Sequence, residues 1–385
     1  MIERVHIKNF KSIYDLDINV GRINLFIGEN GSGKSNLLEA LVFVSASQSN
    51  KLDNEFLVSR GLRVTEPTLM RSAFEEENKN KDIEIIMYDT NNDGIKYNFY
   101  NENTEYSKWT NSEIILNEIN DLDILSNKIN LLREEERIRD FITNRLNLNE
   151  INKLISYLEK HPLRNKIENF LIYSPENTAL RTFEKEGQIQ PLGINGEGLL
   201  KLLKVVNDYE DKSYINTIIE SLQLFNWFED IKISDEFSFG EQKLTIKDKY
   251  IYKEIDQRST NEGFLFILFY ITLIVSKETP KTFAIDNIDA SLNPKLCTKL
   301  MMIICDLAKK YDKQIFLTTH NPAILDGIDL NDEEQKLFVV SRNKSGHTRM
   351  KNITAKDKPK SSNDEPLKLS EAFLRGYLGG LPKGF

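Results

Sequence analysis

Cysteine and histidine are scarce in this sequence, and their scarcity limits what the protein can be. The 385 residues include two cysteines, Cys297 and Cys305, and four histidines. No group of these residues has the spacing of metal ligands. We expect both cysteines to be ordinary core or surface residues, in a chain whose composition suits a reducing compartment.

Long apolar runs are also lacking. The longest, GFLFILFYITLIV at residues 263–275, is too short for a membrane-spanning helix, which needs about 20 residues. The opening residues MIERVHIKNF carry charges where a signal peptide has its apolar segment. We therefore expect a buried helix at 263–275 and a cytoplasmic protein with no membrane partner.

Positive charge is in deficit. Lys and Arg number 51 against 59 Asp and Glu, which gives a net charge of −8. A protein that covers DNA usually shows the opposite balance. Because net charge does not report how charges are distributed, a local basic face, and with it DNA binding, stays open.

The apolar pattern that is present predicts an α/β fold. RVHIKNF, DLDINV and RINLFIG are typical of strands, and IEIIMYDTNNDGIKYNFY is typical of a hairpin with Asn92, Asp93 and Gly94 in its turn. FAID and QIFLTT are short apolar strands, each followed by a helix. This alternation favours a parallel sheet.

The domain organisation follows from where this pattern changes. From about Asn111 to Asn169 the apolar spacing is helical. We predict a sheet domain made of two lobes, residues 1–105 and 176–355. A helical insertion at residues 106–175 separates the lobes, and a C-terminal tail follows at residues 356–385. The tail segment FLRGYLGGLPKGF either docks on the chain's own domain or binds a partner.

The segment GENGSGKS matches the phosphate-binding pattern G-x-x-x-x-G-K-[S/T] without a mismatch. It follows a predicted strand and opens a predicted helix, which is the context that the pattern requires. Lys34 would reach the β- and γ-phosphates, and Ser35 would ligate Mg²⁺. The segment therefore predicts that ATP and Mg²⁺ are bound at Gly28, Glu29, Asn30, Gly31, Ser32, Gly33, Lys34, Ser35 and Asn36.

A magnesium site of this kind needs a second anchor, usually an aspartate at the end of an apolar strand. Asp286 has that position in TFAIDNIDASLNP, and His320 ends the later strand IFLTTH. A single histidine at a strand end is more often structural. Because the phosphate loop, the aspartate strand and the histidine come in this order, we interpret His320 as a sensor of the γ-phosphate.

These segments resemble the ABC-type ATPase heads of SMC, RecF and OLD-family proteins. IKNFKS and INLFIGENGSGKSNLLEAL resemble the opening of those heads, IDNIDASLNP resembles their Walker B and D-loop, and TTHNPAIL resembles their switch-histidine strand. IYSPENTALR and PLGINGEGLL resemble compact bacterial relatives without a long coiled coil. Many of those relatives are anti-phage defence ATPases paired with a separate nuclease or toxin.

The resemblance implies a head-to-head homodimer with two ATP molecules at its interface, each between one subunit's P-loop and the other's signature motif. It implies that Asp286 holds Mg²⁺ through water, that Asp289 lies in the D-loop and that His320 is the switch. It places Asn9 and Lys11 where relatives contact the nucleotide. Gln48 is a weak candidate for the Q-loop glutamine of these proteins.

Two segments compete for the signature motif. SFGEQ, residues 238–242, matches better in its letters than STNEG, residues 259–263. A signature serine must begin a helix, so that backbone N–H groups and the helix dipole face the γ-phosphate. SFGEQ precedes the strand-like KLTIKDKYIY, whereas STNEG precedes the helical FLFILFYITLIV. Position therefore favours Ser259, Asn261 and Gly263.

The rate of hydrolysis depends on the residue after Asp286. Relatives have a glutamate there that polarises the attacking water, whereas this chain has Asn287. An amide can hold a water molecule but cannot accept its proton at neutral pH. Since a positioned base is worth roughly 10²–10⁴ in rate, we predict slow turnover, with Asp289 as the alternative base.

Three functions compete for this sequence. We favour an ABC-type ATPase that acts as a sensor or scaffold and controls a separate effector, a nuclease or toxin, in anti-phage defence. The alternative is a RecF-like repair or maintenance ATPase that clamps DNA. A nuclease in its own right is disfavoured, because no acidic cluster has nuclease spacing and too few residues follow the His320 region for a Toprim-like domain.

Overall fold

The computed structural model describes residues 1–116, 162–183, 187–233, 244–360 and 367–381. They form two compact units, each made of three stretches of chain. The first unit consists of Met1–Gly21, Gly28–Phe170 and Phe338–Asn352, and the second of Arg22–Ile27, Leu171–Leu337 and Ile353–Phe385.

Both units contain strands and helices. The strands are β1 (Ile2–Phe10), β2 (Ile13–Asn19), β3 (Ile23–Gly28), β4 (Ile83–Asp89), β5 (Gly94–Tyr100), β6 (Thr110–Leu116), β7 (Ile172–Tyr173), β8 (Phe228–Ile233), β9 (Leu244–Asp248), β10 (Ile255–Asp256), β11 (Thr282–Ile285), β12 (Gln314–Thr319), β13 (Gln335–Arg342) and β14 (Thr348–Ile353). The helices are α1 (Lys34–Gln48), α2 (Asn54–Ser59), α3 (Pro67–Met70), α4 (Pro162–Ile167), α5 (Asn177–Leu180), α6 (Leu199–Asn207), α7 (Ser213–Leu222), α8 (Glu262–Val275), α9 (Pro294–Lys310) and α10 (Leu369–Leu374). Short 3₁₀ helices lie at Glu76–Asn80, Pro322–Gly327 and Ala355–Asp357.

The first unit is built on an antiparallel sheet with the strand order β2-β1-β4-β5-β6. Alternate residues of β4 are buried, which is the pattern of a strand with one face on a core. Phe43 of α1 lies in that core, stacked on Phe99 at 4.2 Å and edge-on to Trp109 at 5.2 Å. The predicted β4–β5 hairpin is confirmed, with Asn92 in the left-handed region at φ +62°.

The second unit contains a parallel sheet in which β3, β12, β11 and β7 are neighbours in that order. Every residue of β3, β11 and β12 is buried, as expected for parallel strands that are covered on both faces. All residues of α8 from Phe264 to Val275 are buried as well. The predictions of a parallel sheet and of a buried helix at 263–275 are therefore confirmed.

A smaller antiparallel sheet, β8-β9-β10, lies in the second unit before α8. β9 confirms the strand predicted after SFGEQ. SFGEQ itself, at 238–242, lies outside the described residues, as does most of the predicted helical insertion. The helical spacing inferred from Asn111 onward is wrong for β6, because residues 110–116 pair along their whole length with β5.

The C-terminal tail docks on the second unit. Leu369, Phe373 and Leu378 are buried, whereas Leu374 and Tyr377 are exposed. The first turn of α10 is fixed by Ser370, whose backbone N–H and Oγ both donate to the Asp326 carboxylate, at 3.0 and 2.6 Å. Docking on the chain's own domain is therefore confirmed for one face of the tail, and the opposite face remains exposed.

The two cysteines are structural, as expected. Cys297 is buried and Cys305 is half-buried, and burial raises the pKa of Cys297 to about 11 and that of Cys305 to about 12. Thiols with such pKa values are poor nucleophiles at neutral pH. Among the described residues, no cluster of His, Cys, Asp and Glu could hold a metal ion, and no helix is long and apolar enough to cross a membrane.

Candidate nucleotide-binding and catalytic residues

The P-loop has the backbone of a phosphate cradle. Gly31 and Gly33 adopt left-handed φ angles of +73° and +104°, which side chains other than glycine adopt only at a cost. A Cβ atom on Gly33 would lie 2.1 Å from Thr348 Oγ1, and one on Gly28 would lie 2.1 Å from the Val340 carbonyl oxygen. The glycines at 28 and 33 are therefore required by close packing as well as by the pattern.

Polar groups inside this loop fit an anionic ligand. Lys34 is 5% exposed, and its Nζ donates to the carbonyl oxygens of Gly28 and Glu29 at 2.9 and 3.0 Å. Ser32 Oγ is buried and, among the described residues, has no hydrogen-bond partner. Ser35 lies in the first turn of α1. An ammonium group, a buried hydroxyl and a helix N-terminus together suit a bound triphosphate.

The hairpin of β13 and β14 supports the P-loop from one side. Arg342 Nε donates to the Gly31 carbonyl oxygen at 2.7 Å, and Thr348 Oγ1 donates to the Ser32 carbonyl oxygen at 2.9 Å. Thr348 Oγ1 also hydrogen-bonds Ser12 Oγ at 2.7 Å. No local sequence pattern marks Ser12, Arg342 or Thr348, because their partners lie up to 336 positions away in the chain.

A basic cavity of about 390 Å³ lies in the first unit beside Ser12 and Asn36. Asn36 Nδ2 donates to Ser12 Oγ at 2.6 Å. Lys11, Arg63, Arg71 and Arg342 also line the cavity. Such a wall suits an anionic group.

Glu39 organises the basic side chains at one end of that cavity. It is 1% exposed, forms an ion pair with Lys11 Nζ, and accepts from Arg63 Nε at 2.6 Å. Burial lowers the pKa of Lys11, and the Glu39 carboxylate opposes that change. Lys11 thus lies beside the P-loop helix but is paired within the protein, and its predicted contact with nucleotide stays a prediction.

Asn9 and Gln48 have structural partners. Asn9 Nδ2 donates to the carbonyl oxygens of Asn78 and Lys81, both at 3.0 Å, and its Oδ1 accepts from the Ser72 N–H at 3.1 Å. These bonds fix the loop before β4. Gln48, at the end of α1, donates to the Tyr97 hydroxyl at 2.8 Å. The roles predicted for Asn9 and Gln48 at the nucleotide stay predictions.

Three parallel strands of the second unit end at matching positions. Ile27, the residue before the P-loop, is the register partner of Thr319, the residue before His320. Ile285, the residue before Asp286, is the register partner of Leu317. The carboxyl ends of parallel strands are where ligands of such sheets bind, so the predicted order of motifs corresponds to neighbouring strand ends.

Thr318 joins two of these strand ends. Its Oγ1 donates to the half-buried carboxylate of Asp286 and accepts from the Asn287 N–H at 2.9 Å. Asn287 is exposed and has a φ of +56°, a left-handed conformation that asparagine tolerates better than most residues. The amide side chain is therefore presented to solvent directly after the predicted magnesium ligand.

Asp289 anchors the end of β12. One of its carboxylate oxygens accepts from Thr319 Oγ1 at 2.6 Å and from the His320 N–H at 3.2 Å. These bonds make Asp289 a positioning residue for His320 in this structure. The role of Asp289 as the alternative base stays a prediction.

The weaker signature segment begins a helix, as predicted. Asn261 is the N-cap of α8 and accepts from the Phe264 N–H at 2.9 Å. Ser259 is exposed two residues earlier. A Cβ atom on Gly263 would lie 3.3 Å from the Ser291 carbonyl oxygen, so the small residue lets the loop after β11 approach α8.

Arg181 organises the loop that leads into this helix. Its Nη1 donates to the carbonyl oxygens of Gln257 and Arg258 at 2.5 and 2.9 Å, and its Nη2 donates to that of Thr260 at 2.8 Å. Its Nε donates to Asn177 Oδ1 at 2.9 Å. Arg181 is the last residue of the segment IYSPENTALR, and nothing in that segment indicates which carbonyl groups the arginine binds.

Curated relatives match different lengths of this chain. An uncharacterized protein of Methanocaldococcus jannaschii is 45% identical over 67 residues, covering 16% of this chain and 31% of that protein. The DNA replication and repair protein RecF of Clostridium botulinum is 24% identical over 275 residues, covering 68% of this chain and 70% of RecF. RecF of Porphyromonas gingivalis is 37% identical over 79 residues, covering 20% and 21%. The chain thus spans less than a third of two of these relatives.

Solved structures share the fold. The SMC head bound to the C-winged helix domain of ScpA aligns with a TM-score of 0.56 at 15% identity, covering 92% of this chain and 98% of that one. The SMC head with an extended coiled coil, bound to the C-terminal domain of ScpA derived from Pyrococcus furiosus, aligns with a TM-score of 0.50 at 15% identity, covering 92% and 96%. The protein therefore has the fold of an SMC-head-like P-loop ATPase.

The family comparison covers most of the residues discussed above. The sequence model described as "AAA domain, putative AbiEii toxin, Type IV TA system" matches residues 23–326. This range includes the P-loop, the start of α8, and the ends of β11 and β12. Because it exceeds half of the chain, the protein belongs to this family and, with RecF and the SMC heads, to the SMC/RecF-like group of ABC-type ATPases.

Proposed function

We propose that the protein binds ATP and Mg²⁺, dimerises around the nucleotide and hydrolyses it slowly, so that ATP acts as a clamp. In this proposal the standing dimer is a sensor or scaffold that controls a separate effector, a nuclease or toxin, in cytoplasmic anti-phage defence. The family match to an AbiEii-like AAA domain supports a toxin–antitoxin or defence context. The observation that carries slow hydrolysis is Asn287, which is exposed after Asp286, at the position where the resemblance to ABC-type ATPase heads implies a glutamate.

The residues present can bind the ligand that this function needs. Bound ATP would supply the phosphoanhydride bond, and bound Mg²⁺ would neutralise charge on its phosphates. In the proposal, Lys34 holds the β- and γ-phosphates, while Ser35 and Asp286 hold the metal. Ser259 and Gly263 of a second subunit complete the nucleotide site. The unpartnered Ser32 hydroxyl and the glycine backbone of the loop support this assignment.

Asn287 makes the clamp testable by one substitution. Asn287→Glu restores a carboxylate, and a gain of about tenfold in kcat corresponds to ~1.4 kcal/mol of barrier. The φ of +56° is unfavourable for glutamate by about 1–2 kcal/mol, and Asn287→Gln shares that penalty without the carboxylate. We expect Asn287→Glu to raise kcat at least tenfold and Asn287→Gln to leave it unchanged or lower.

Steady-state ATPase assays measure kcat for these variants, and Lys34→Ala gives the background rate. Sedimentation with and without ATP-Mg²⁺ measures the dimer, which Asn287→Glu should make shorter-lived. The clamp is contradicted if the wild-type protein turns over several ATP per second and Asn287→Glu is no faster. In that case Asp289 is the next residue to test as the base.

A second candidate function rests on the likeness to RecF, which extends over 70% of the Clostridium botulinum protein. In this alternative the ATP-bound dimer clamps DNA in repair or maintenance. We would then expect ATP-dependent retention on duplex DNA that weakens steeply with salt, because phosphate contacts release counterions. The alternative is contradicted if retention on DNA does not depend on ATP and if Lys34→Ala loses retention only to the extent that it loses fold stability.

A further inference from the structure

A groove lined with lysine side chains lies in the second unit. It has a volume of about 720 Å³ and is formed by the first turns of α9, the 3₁₀ helix Pro322–Gly327, and the start of α10. Lys295, Lys299, Lys358 and Lys368 contribute its positive charge. We call this feature the lysine groove.

The charge of the lysine groove is opposite to that of the whole protein. Four lysines and one aspartate line it, whereas the chain has a net charge of −8. The aspartate, Asp326, accepts hydrogen bonds from the N–H and Oγ of Ser370. Within the described part of the chain, none of the four lysines forms an ion pair. Among the described residues, the positive charge of the lysine groove is therefore not neutralised by ion pairs.

The position of Lys295 strengthens this conclusion. It lies in the first turn of α9, and that turn contains no acidic residue. A cation at a helix N-terminus is unfavourable by a few tenths to about 1 kcal/mol, because the helix dipole is positive there. The dipole and the four ammonium groups thus attract the same anionic partner.

The apolar part of the groove distinguishes between anionic partners. Met302 is 49% exposed, and it lines the groove with Leu325, Ile328 and Leu369. A nucleic-acid backbone presents phosphates and sugars, which leave such a surface without an apolar contact. An amphipathic peptide can place leucine-like side chains on it, and methionine adapts to such side chains well.

We propose that the lysine groove binds an acidic, amphipathic peptide segment of a partner protein. Carboxylates of the segment pair with the four lysines, while its apolar side chains contact the exposed Met302. The identification of that partner with the effector rests on the proposed function. The binding chemistry does not, since every residue that lines the groove belongs to the second unit and is distinct from the P-loop.

The test uses a fluorescent peptide of about a dozen residues, with leucine at helical spacing and glutamate elsewhere. We expect it to bind the full-length protein, and the double variant Lys299→Glu/Lys358→Glu to weaken binding at least about tenfold. Lys108→Glu reverses an exposed lysine of the first unit and should leave binding unchanged. Lys299→Gln/Lys358→Gln should weaken binding less than Lys299→Glu/Lys358→Glu. If the glutamate variant does not fold, the loss of binding in the glutamine variant is the test.

Two further ligands separate this proposal from simple charge attraction. A peptide with serine in place of each leucine should bind much more weakly, and single-stranded DNA of equal charge should not compete. Equal binding of the serine peptide, stronger binding of DNA, an equal loss in Lys108→Glu, or no binding to the wild-type protein would each overturn the proposal. We expect Lys34→Ala to bind the peptide as wild type does. Such binding would support the lysine groove even if the proposed ATP-dependent function proved wrong.

Discussion

Two helices of this protein were expected to present their N-termini to phosphate, and their first turns are built differently. α1 begins after Gly33, which has a left-handed φ and provides no side-chain cap, and its first turn contains no acidic residue. α8 begins with Asn261, whose side chain caps the Phe264 N–H, and has Glu262 in its first turn. The first turn of α1 thus has neither a side-chain cap nor an acidic residue opposing an anion, whereas at α8 the Asn261 side chain occupies the Phe264 N–H.

The far ends of the two helices differ in the same sense. α1 ends at Gln48 with no basic residue in its last turn. After α8, the buried Lys313 Nζ donates to the carbonyl oxygens of Ser276 and Thr279, both at 3.0 Å. α8 is therefore stabilised at both ends by side chains. We expect α1 to be the ligand-dependent helix and α8 to be the rigid one.

The largest effect should come from the P-loop side of this comparison. Lys34→Ala removes charge-assisted contacts to phosphate that are worth about 2–3 kcal/mol, so ATP affinity should fall by roughly a hundredfold. Gly33→Ala should have a similar effect, because its Cβ would collide with Thr348 Oγ1. Calorimetry with ATP-Mg²⁺ measures the loss, and the melting temperature controls for folding. If both variants bind ATP like wild type, α1 is not the phosphate helix.

Replacing Arg181 should destabilise the loop before α8 without changing ATP affinity. Arg181→Met leaves three carbonyl groups without their donor, which should lower the free energy of unfolding by about 2 kcal/mol. Arg181→Lys should recover part of this loss, since an ammonium group can serve one or two of the acceptors. Denaturant unfolding measures the change. A loss of ATP affinity in the monomer, with stability unchanged, would contradict a purely positioning role.

The buried Lys313 should make the stability of α8 depend on pH. Burial, with the nearby Lys281 charge, lowers the pKa of Lys313 to about 7. The unfolded chain therefore binds more protons than the folded chain between pH 7 and about 10.4, so stability rises with pH across that interval. We expect the wild-type gain between pH 7 and 9 to exceed that of Lys313→Met by roughly 2 kcal/mol. If denaturant unfolding gives the same pH dependence of stability for both proteins, the carbonyl oxygens keep the folded-state pKa of Lys313 near its ordinary value.

The smallest effect should come from the cap of α8. Asn261→Ala should lower the free energy of unfolding by about 1 kcal/mol and leave the ATP affinity of the monomer unchanged. Asn261→Asp keeps the cap and should leave stability near that of wild type. If Asn261→Ala instead speeds loss of the ATP-bound dimer by far more than its stability cost, the cap itself contacts nucleotide across subunits.

Local signals explain what the sequence could predict. GENGSGKS contains its own turn glycines, and FLFILFYITLIV is too apolar to lie anywhere but in a core, so the P-loop and α8 were identified correctly. Ser12 and Thr348 hydrogen-bond each other across almost the whole chain, and no local pattern reveals such a pair. β6 was mistaken for part of a helical region because its pairing with β5, rather than its own apolar spacing, makes it a strand.

Asn287 and Asp289 lie two residues apart but differ in what a substitution would disturb. Asp289 holds Thr319 and His320 through one carboxylate oxygen, whereas the Asn287 side chain is exposed to solvent. A substitution at 289 would therefore remove two hydrogen bonds at the strand end, whereas at 287 the left-handed φ of +56° is the constraint. In the proposed function, the lifetime of the nucleotide-bound state is therefore set by one surface residue, separately from the residues proposed to hold the nucleotide.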